Sequence, residues 1–577
     1  MIVLGLSGSL THDPSAALFV DGRLVAAVEE ERFLRDKHAK RRWPYHSARY
    51  CLEVAGIAPG DIDAVAFPFA AFGLRYPGRW HFAKRYWYAP DRALQAIFNG
   101  NRHFRRNRNA ILKLMHDLSI DPDRTPFVPV PHHLTHASSA YHLSGFDGKV
   151  AILGIDGKGE YATTFFGYGE NGQIHCIKEF FDPDSLGGVY GALTQYLGFE
   201  MLDGEFKVMG MAPYGDPTKY DFSPLIQCDG RSFTVDTTLV NTVGLRRYKQ
   251  DGLGFYFSPK LVDWLGPKRK GDEIDDPYVD YAASMQKLLE DVALQLIETY
   301  LGDILRETGK LCFAGGVALN VKLNQRIIDL PHVQELFVQP AASDAGTAVG
   351  AASYVAHEMG DAIAKQEHVY LGPSFSTEDG RRACESHPEK PRYEQVPDAP
   401  QAAARLLADG HPVAWFQGRM EFGPRALGNR SIIGAPNVEG IAERIHRIRI
   451  PNTSERSLLW MGDGAKLASS EGGLEEVRRI SLPRSPTRTD HGVGFVNEKD
   501  DRGRGGLHLR DEPLQTVLEL PFDPGPGLEQ GKDEFLLRHS SSSLNAEILR
   551  QLREFIDLHF LEFHKIHSLF SIVNVFI

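Results

Sequence analysis

The sequence predicts an α/β protein whose first part is a duplicated two-lobed domain. Residues 2–8 read Ile-Val-Leu-Gly-Leu-Ser-Gly and residues 151–157 read Ala-Ile-Leu-Gly-Ile-Asp-Gly, two apolar strand patterns that each end in a polar residue and glycine. Each is followed by a second apolar run and then a hairpin signal, Asp21-Gly22 or Asn171-Gly172. Because the spacing between the two units stays at 149 to 150 residues, we interpret them as duplicated lobes. The alternative is a chance match between two common hairpins.

The turn after each first strand offers backbone N–H groups that can surround phosphate oxygens. Gly157 lies in the second of these turns. A third segment, residues 311–320, runs from a short apolar stretch into Gly315 and Gly316 and then to Asn320. A strand that leads through glycines into a helix lets a nucleotide approach the backbone closely. Two such turns facing each other across a cleft are typical of nucleotide sites of the actin, sugar-kinase and Hsp70 type.

Composition narrows the class of protein. The chain has 577 residues and a formal charge of −11, which argues against a dedicated nucleic-acid binder. Its five cysteines are scattered without a CxxC pair, as in reduced cytoplasmic proteins. No apolar stretch approaches the roughly 20 residues that a membrane helix needs. We therefore expect a cytoplasmic protein with a small-molecule partner, no nucleic acid and no membrane.

A metal site is predicted from the run His-His-Leu-Thr-His at residues 132–136. His132 and His136 are four residues apart, which puts both imidazoles on one face of a helix. Imidazole suits iron, zinc or nickel. Asp156, in the turn of the second hairpin, and Asp344, before a helix of small residues, are the candidate carboxylates. The alternative is that the histidines cap or pack a helix.

A segment from Trp80 to Arg108 is both aromatic and basic. Aromatic faces suit sugar rings, so this segment is a candidate part of an acceptor-binding surface. The alternative is a pair of helices that pack on one side and are solvated on the other.

Taken together, several motifs resemble the carbamoyltransferase family that includes nodulation protein U and the antibiotic O-carbamoyltransferases of the tobramycin and cephamycin type. The resemblance runs from residue 1 to about residue 450, and its most specific parts surround Lys207 and Arg425. The matching stretches are residues 11–17, 29–33, 37–38, 132–136, 204–215, 315–320, 343–346 and 417–428.

The resemblance implies two domains. Residues 1–372 resemble the Kae1-like branch of the actin/Hsp70 superfamily, and residues 401–577 resemble a YrdC-like α/β domain. Residues 373–400, rich in proline, serine and charge, are interpreted as the linker. The family picture has the second domain form carbamoyl adenylate from carbamoyl phosphate and ATP, with Mg²⁺ as a possible companion of ATP. The first domain then transfers the carbamoyl group to an acceptor hydroxyl.

The resemblance also assigns roles to residues. His132, His136, Asp156 and Asp344 would hold a divalent metal, usually Fe²⁺ in this family. His12 is the candidate base for the acceptor hydroxyl, and Asp13 and Lys37 are the other candidate catalytic residues. A turn-forming role is the alternative for both His12 and Asp13. Lys37 and His38 would contact the acceptor, unless they belong to a solvated loop. Lys207 would hold the nucleotide or carbamoyl adenylate together with Gly157, Gly315, Gly316 and Asn320, unless it forms an exposed salt bridge.

In the second domain, Arg419 and Arg425 would bind phosphate oxygens of carbamoyl phosphate or ATP through their guanidinium groups. Surface arginines are the alternative. After about residue 450 the family pattern stops, so the domain is atypical or incomplete there. Residues 481–506 are rich in Arg, Ser, Pro, Asp and Gly and show little apolar periodicity. We interpret residues 451–577 as divergent, with a shifted reading frame as the hypothesis.

Three functions remain open from the sequence. The leading one is an ATP-dependent O-carbamoyltransferase acting on a sugar-like or natural-product hydroxyl, with a nodulation lipo-chitooligosaccharide among the candidate acceptors. The first rival is a sugar kinase of the same superfamily. The second is a catalytically impaired binding protein, if the C-terminal tail is genuine. Family members often pair, so a homodimer is also expected.

Overall fold

The computed structural model describes residues 1–8, 12–241, 256–270, 276–387, 391, 393–441, 444–445 and 536–537. The chain divides into two compact units, of which the first contains the described residues up to Gln366 and the second those from Glu367 onward. Within the described residues, no helix is long and apolar enough to cross a membrane.

The first lobe of unit one is a five-stranded sheet with helices packed on it. Its strands lie in the order β3-β2-β1-β4-β5, with β1 to β3 antiparallel and β4 and β5 parallel to β1. Asp21 and Gly22 both have positive φ and close the hairpin between β2 and β3, as their sequence predicts. The elements are β1 (Ile2–Leu6), β2 (Ser15–Val20), β3 (Arg23–Glu29), α1 (Glu31–Leu34), α2 (Tyr45–Ala55), β4 (Ala64–Phe67), α3 (Pro77–Arg85), α4 (Pro90–Asn99), α5 (Arg102–Asp117) and β5 (Phe127–Pro129).

The second lobe repeats this topology. Its sheet has the order β12-β11-β6-β7-β8, with β6 to β8 antiparallel and β11 and β12 parallel to β6. Its elements are α6 (His132–Ser144), β6 (Val150–Ile155), β7 (Ala162–Glu170), β8 (Gln173–Phe181), α7 (Leu186–Tyr196), α8 (Glu205–Met211), β9 (Ile226–Cys228), β10 (Phe233–Val235), α9 (Pro259–Leu265), α10 (Tyr278–Thr308), β11 (Lys310–Ala314), α11 (Val321–Ile328), β12 (Glu335–Val338) and α12 (Thr347–Glu358).

The matching strand orders confirm the predicted duplication and the actin/Hsp70-like fold of unit one. Helix α12 joins the two lobes, because it packs against β1, β2 and β4 of the first lobe and against α6 of the second. Glycines at these contacts allow a close approach. A Cβ on Gly5 of β1 would lie 2.0 Å from the carbonyl oxygen of Ala348 in α12, and a Cβ on Gly350 of α12 would lie 1.8 Å from that of Thr135 in α6. This packing fixes the helix that carries both candidate histidines.

The described part of unit two is also α/β, as expected of a YrdC-like domain. β13 pairs antiparallel with β15, and β14 lies between β16 and β17. Helix α14 packs Ala403, Ala404 and Leu407 against Val413 and Trp415 of β14. The elements are β13 (Tyr370–Ser374), α13 (Thr377–Ser386), α14 (Ala399–Ala408), β14 (Val413–Phe416), β15 (Arg419–Glu421), β16 (Arg430–Ile433) and β17 (Leu536–Leu537).

The segment interpreted as a linker, residues 373–400, contains structure of its own. It holds the end of β13 and the whole of α13, which begins with a capping box between Ser376 and Asp379. Helix α13 buries none of its side chains. The polar composition of α13 is therefore similar to that of a linker. Ser and Asp are common in linkers, but they are also the residues that cap the N-terminus of a helix. The hypothesis of a shifted reading frame concerns residues that lie outside the described ones, apart from Leu536 and Leu537.

Candidate metal centre

Helix α6 carries the two histidines that the sequence singled out. It begins at His132, directly after Pro131, so His136 lies one turn further along the same face. The Nε2 atoms of the two rings are 3.2 Å apart, and both side chains are fully buried. Two imidazole nitrogens that face each other at this distance in the interior are arranged to share a cation or a single proton.

Asp156 and Asp344 complete the cluster from two other elements. Asp156 follows β6 directly, and Asp344 begins the short 3-10 turn that leads into α12. His132 Nε2 lies 3.4 Å from Asp156 Oδ2 and 3.5 Å from Asp344 Oδ1, and His136 Nε2 lies 3.9 Å and 3.8 Å from the same atoms. The four ligand atoms all lie within 4.8 Å of one another. Three separate chain segments therefore converge on one buried point.

The surrounding contacts fit a divalent cation. His132 Nδ1 lies 3.3 Å from the carbonyl oxygen of Pro68, which suits a ring that donates from Nδ1 and keeps the lone pair of Nε2 for a metal. The backbone N–H of Gly316 donates to Asp156 Oδ1 at 2.9 Å and leaves the other oxygen facing the histidines. Asp344 Oδ2 is buried and has no hydrogen-bond partner among the described residues. Two histidines with two carboxylates form a donor set that suits iron or zinc.

The charges around the cluster favour one proton on the two rings, with His132 protonated and His136 neutral. Burial lowers the pKa of His132, but the facing Asp344 and Asp156 outweigh it and raise that pKa well above its usual range. Burial, reinforced by the charge on His132, lowers the pKa of His136 to about 4. Burial opposes ionisation of Asp156, yet the three histidines near it lower its pKa overall. A cation at the centre would replace this proton.

His12, Asp13 and His38 form a hydrogen-bonded chain that starts beside the cluster. His12 Nε2 lies 3.8 Å from Asp344 Oδ2, and His12 Nδ1 lies 3.1 Å from Asp13 Oδ2. Asp13 Oδ1 is 2.7 Å from His38 Nδ1, and His38 Nε2 is 3.3 Å from Asp203 Oδ1. Burial lowers the pKa of His12, but Asp344 and Asp13 raise it to about 9.

Lys37 lies at the outer side of this chain. Its side chain is 40% exposed, and its ammonium group is 3.8 Å from Glu31 Oε1. Its neighbour His38 is mostly buried, and the backbone N–H of His38 donates to Glu31 Oε2 at 2.7 Å. The two residues predicted to contact an acceptor therefore differ, since Lys37 is accessible and His38 is held by the carboxylates of Asp13, Asp203 and Glu31.

The predicted nucleotide residues are divided between the cluster and its surroundings. Gly157 follows Asp156, and its carbonyl oxygen accepts a hydrogen bond of 2.7 Å from the Ser185 hydroxyl. Gly315 has a φ of 95°, and a Cβ there would lie 2.2 Å from the carbonyl oxygen of Ile155, so a side chain cannot be accommodated. Gly315 and Gly316 thus lie against the end of β6, next to the metal cluster.

Asn320 and Lys207 lie within the same unit but make structural contacts. Asn320 begins α11 by accepting the N–H of Leu323 at 3.0 Å, and it also exchanges hydrogen bonds with Gln286. Lys207 is buried in α8, and its ammonium group lies 5.4 Å from the ring centroid of Phe199 and 5.9 Å from that of Phe206. The alternative for Lys207, an exposed salt bridge, is therefore not what this burial indicates.

Arg419 and Arg425 belong to unit two. The Nε of Arg419 donates to the carbonyl oxygen of Gly372 at 3.1 Å, so this guanidinium group already joins β15 to β13. Arg425 is half-buried in the loop between β15 and β16. That loop is held by Glu421, whose Oε1 accepts the N–H groups of Leu427 and Asn429 at 2.9 and 2.8 Å.

Three groups of importance to these sites were missed from the sequence. Glu160 accepts the N–H of His132, the first residue of α6, at 3.2 Å, and burial raises its pKa to about 7. Asp203 ends the chain of histidines and carboxylates. Glu421 forms a buried ion pair of 3.2 Å with Arg430. Glu160 and Asp203 lie far in sequence from their partners, and Glu421 lies in a motif in which only the arginines were predicted to bind phosphate. No local sequence pattern therefore marks any of the three.

Comparisons with known proteins identify the family of the chain. Residues 2–353 match the family model described as the N-terminus of carbamoyltransferases, and residues 404–451 match the one described as their C-terminus. Nodulation protein NolNO of Sinorhizobium fredii is 35% identical over 472 residues, which cover 78% of this chain and 64% of NolNO. An uncharacterized Synechocystis protein, sll1178, is 37% identical over 450 residues, which cover 75% of this chain and 71% of that protein.

A shorter match is to the 3'-hydroxymethylcephem-O-carbamoyltransferase of Streptomyces clavuligerus, with 32% identity over 159 residues that cover 27% of this chain and 29% of the enzyme. Among solved structures, full-length HypF in its phosphate- and nucleotide-bound form has 12% identity and a TM-score of 0.31, and the match covers 63% of this chain and 56% of HypF. That likeness is too weak to carry an argument. The chain spans less than two thirds of the length of NolNO. With a family match over residues 2–353, this chain belongs to the carbamoyltransferase family.

Proposed function

We propose that the protein is an ATP-dependent O-carbamoyltransferase, which takes a carbamoyl group from carbamoyl phosphate by way of carbamoyl adenylate and transfers it to a hydroxyl of a small-molecule acceptor. The observation that carries the proposal is the buried set of His132, His136, Asp156 and Asp344 in the unit that matches the family's N-terminal model. The two substrates it needs suggest that the reaction takes place in the cytoplasm.

The four residues would hold a divalent cation, and the resemblance favours Fe²⁺. Bound there, such a cation supplies a Lewis acid that polarises an oxygen of the substrate and stabilises charge as the carbonyl carbon is attacked. The protein contributes the geometry. Gly316 and Pro68 orient Asp156 and His132 through their backbone groups, so the ligands do not have to rearrange when the cation binds.

The acceptor hydroxyl loses its proton as its oxygen bonds to the carbamoyl carbon and the adenylate leaves as AMP. His12 is the proposed base, because its ring lies between Asp344 and Asp13 at the edge of the cluster. Those carboxylates raise the pKa of His12 to about 9, so the ring would become a base only when a cation held by Asp344 offsets the charge of that carboxylate. Asp13 would orient His12, and His38 would hold Asp13 in place from the other side. Lys37, which is accessible, is the proposed contact to the acceptor.

The adenylate would lie along the backbone at Gly157, Gly315 and Gly316, where the absence of side chains lets a nucleotide approach closely. Lys207 and Asn320 would support this surface through their packing in α8 and at the start of α11. In unit two, Arg425 would bind phosphate oxygens during adenylate formation, with Mg²⁺ accompanying ATP. Arg419 would shape the strand pair beneath it.

The acceptor is proposed only as a class, a sugar-like or natural-product hydroxyl. NolNO is named as a nodulation protein, and the Streptomyces clavuligerus enzyme is named for a cephem acceptor. A lipo-chitooligosaccharide and an antibiotic intermediate are therefore both reasonable acceptors to test. The donor set of the cluster favours this function over a sugar kinase, which needs no buried pair of histidines to transfer phosphate.

The experiment is incubation of the protein with labelled carbamoyl phosphate, ATP and a panel of hydroxyl acceptors. We expect label in the acceptor for the wild type, and loss of both bound metal and transfer in His136→Ala. His142→Gln is the matched control, since His142 is buried in the same helix but faces the Gly172 carbonyl. Phosphate in the acceptor would establish the kinase instead, and no product with any acceptor would favour the binding protein. Full activity of His136→Ala would contradict the metal assignment.

A further inference from the structure

Helices α3, α4 and α5 carry an unusual combination of charge and exposed apolar side chains. Residues 74–108 contain nine Lys or Arg and one acidic residue, Asp91, in a chain whose formal charge is −11. Of the eleven large apolar side chains that are exposed among the described residues, five belong to this segment. They are Leu74, Trp80, Trp87, Leu94 and Phe98, and we call this region the α3–α5 surface.

Four of the exposed side chains, those of Leu74, Trp80, Leu94 and Phe98, are linked by contacts or helical spacing. Leu74, Phe98 and Arg105 line one surface pocket of about 190 Å³. The indole N–H of Trp80 donates to the carbonyl oxygen of Leu74 at 2.7 Å, which keeps Trp80 beside this pocket. Leu94 lies one helical turn before Phe98 on α4 and so extends the same face. Phe98 is 80% exposed, so its ring does not pack against the rest of unit one.

The opposite side of these helices is well packed, so their exposure does not come from loose structure. Phe82, Tyr86 and Ala96 pack against Tyr161 of the second lobe. The Tyr86 hydroxyl donates to Asp182 Oδ1 at 2.9 Å. An exposed apolar face on a helix that is anchored on its other side is the arrangement of an interaction site.

The same helices carry exposed positive charges, and one of them, Arg105, lines the pocket with Leu74 and Phe98. Arg102, Arg105, Arg106 and Arg108 of α5 are exposed, as is Lys84 of α3. No ion pair to any of these five is formed within the described part of the chain. Aromatic and aliphatic side chains accompanied by unneutralised cations match the chemistry of an anionic lipid bilayer, whose headgroups attract the cations while the acyl region accepts the apolar groups.

We propose that the α3–α5 surface docks the protein on an anionic membrane surface. The sequence led us to expect no membrane partner because no segment is apolar enough to span a bilayer, and docking of this kind needs no spanning segment. A second copy of the chain fits less well, because a two-fold interface would place this cationic surface against itself. Leu74 and Leu94 also offer aliphatic bulk, which suits acyl chains and provides no ring for bases to stack on.

The test is cosedimentation of the full-length protein with vesicles of phosphatidylcholine, with and without phosphatidylglycerol. We expect binding to the vesicles that contain phosphatidylglycerol and release as salt is raised. Leu94→Gln/Phe98→Gln and Arg102→Gln/Arg105→Gln/Arg106→Gln should each bind at least about tenfold more weakly. The controls are Val54→Gln and Ile177→Gln, at exposed apolar positions elsewhere, and Arg124→Gln, at an exposed arginine outside the surface.

Circular dichroism and thermal melting of each variant distinguish lost binding from lost folding. Absence of wild-type binding to vesicles with phosphatidylglycerol would overturn the proposal, and so would equal binding by the surface variants and the controls. Binding of single-stranded RNA in place of vesicles would assign the surface to nucleic acid. A concentration-dependent dimer that the Leu94→Gln/Phe98→Gln variant abolishes, without vesicle binding by the wild type, would assign it to a second copy.

Discussion

Helix α6 carries four histidines, and their surroundings give them different roles. His132 and His136 face the paired carboxylates. His133 lies on another side of the helix, and burial lowers its pKa to about 3, so it stays neutral. His142 lies near the C-terminal end, between the Ser138 hydroxyl at 2.9 Å and the Gly172 carbonyl oxygen at 2.9 Å. Spacing alone identifies the pair that faces the carboxylates, whereas the neutral pair is defined only by the tertiary fold.

His142 provides a prediction about stability and pH. Burial lowers its pKa from 6.5 to about 4, more than the Gly172 carbonyl raises it, and the neighbouring His357 lowers it further. Between pH 6.5 and pH 4, His142 binds a proton in the unfolded chain but not in the folded chain. The free energy of unfolding that is present above pH 6.5 therefore falls as the pH is lowered. The loss is on the order of 2–3 kcal/mol at the lower end.

Urea unfolding at pH 7.5 and pH 5, in the presence of a chelator, measures this effect. His142→Gln cannot take up the proton, so its free energy of unfolding should fall less than that of the wild type between the two pH values. The groups that face the imidazole are the Ser138 hydroxyl, the Gly172 carbonyl and His357 of α12, and all are unchanged in the variant. Identical pH dependence in both proteins would show that His142 is not the group that titrates.

At the scale of elements, α12 determines how closely α6 and the first lobe can approach each other, because it packs against both. Gly350 lies where α12 crosses α6, against the carbonyl of Thr135, one residue before His136. Gly350→Ala should therefore push α6 away, lower the free energy of unfolding by about 1–3 kcal/mol and weaken metal binding. Gly302→Ala in α10 is the control, because its new Cβ would meet the flexible ends of Glu298 and Arg306. Thermal melting and metal titration of the two variants should differ, and equal behaviour would refute the close-packing argument.

The loop between β15 and β16 depends on one buried carboxylate. Glu421 and Arg430 are 0% and 3% exposed, and Glu421 also accepts backbone N–H groups from the loop that carries Arg425. Glu421→Gln leaves Arg430 without its counter-charge and should destabilise unit two by about 3 kcal/mol. Limited proteolysis within unit two and thermal melting report the loss. Glu439→Gln, at an exposed position in the same unit, should behave like the wild type, and a Glu421→Gln variant that does so too would count against the role of the pair.

At the scale of the whole chain, the duplication was predictable because it repeats a local pattern that a strand and a hairpin impose on any sequence. The pairing of His132 and His136 was predictable for the same reason, since one helical turn separates them. Glu160, Asp203 and Glu421 could not be found in this way, because their importance comes from partners brought near by folding. The boundary between the units was also obscure, since the polar residues that suggested a linker belong to a solvent-exposed helix, α13, with its own cap.

The proposed division of labour between the units leads to a final prediction about the whole molecule. If unit two forms carbamoyl adenylate and unit one consumes it, damage to each unit should block a different step. With carbamoyl phosphate and ATP, Arg425→Ala should release little pyrophosphate and form no product, because a phosphate contact is missing. Supplied with carbamoyl adenylate, the same variant should recover transfer to the acceptor. His136→Ala should show the reverse behaviour, with pyrophosphate release retained and transfer absent in both assays.

Pyrophosphate release and acceptor labelling, measured side by side in both assays, separate these steps. Arg23→Gln in unit one and Arg405→Gln in unit two are controls for the loss of an arginine elsewhere, and both should match the wild type. Failure of supplied adenylate to rescue Arg425→Ala would mean that unit two is needed for transfer itself. Loss of pyrophosphate release in His136→Ala would mean that the metal centre takes part in making the donor. Either result would contradict a separate reaction in each unit. If unit two performs only the first step, supplying carbamoyl adenylate should make that unit unnecessary, and damage to unit one should leave the first step intact.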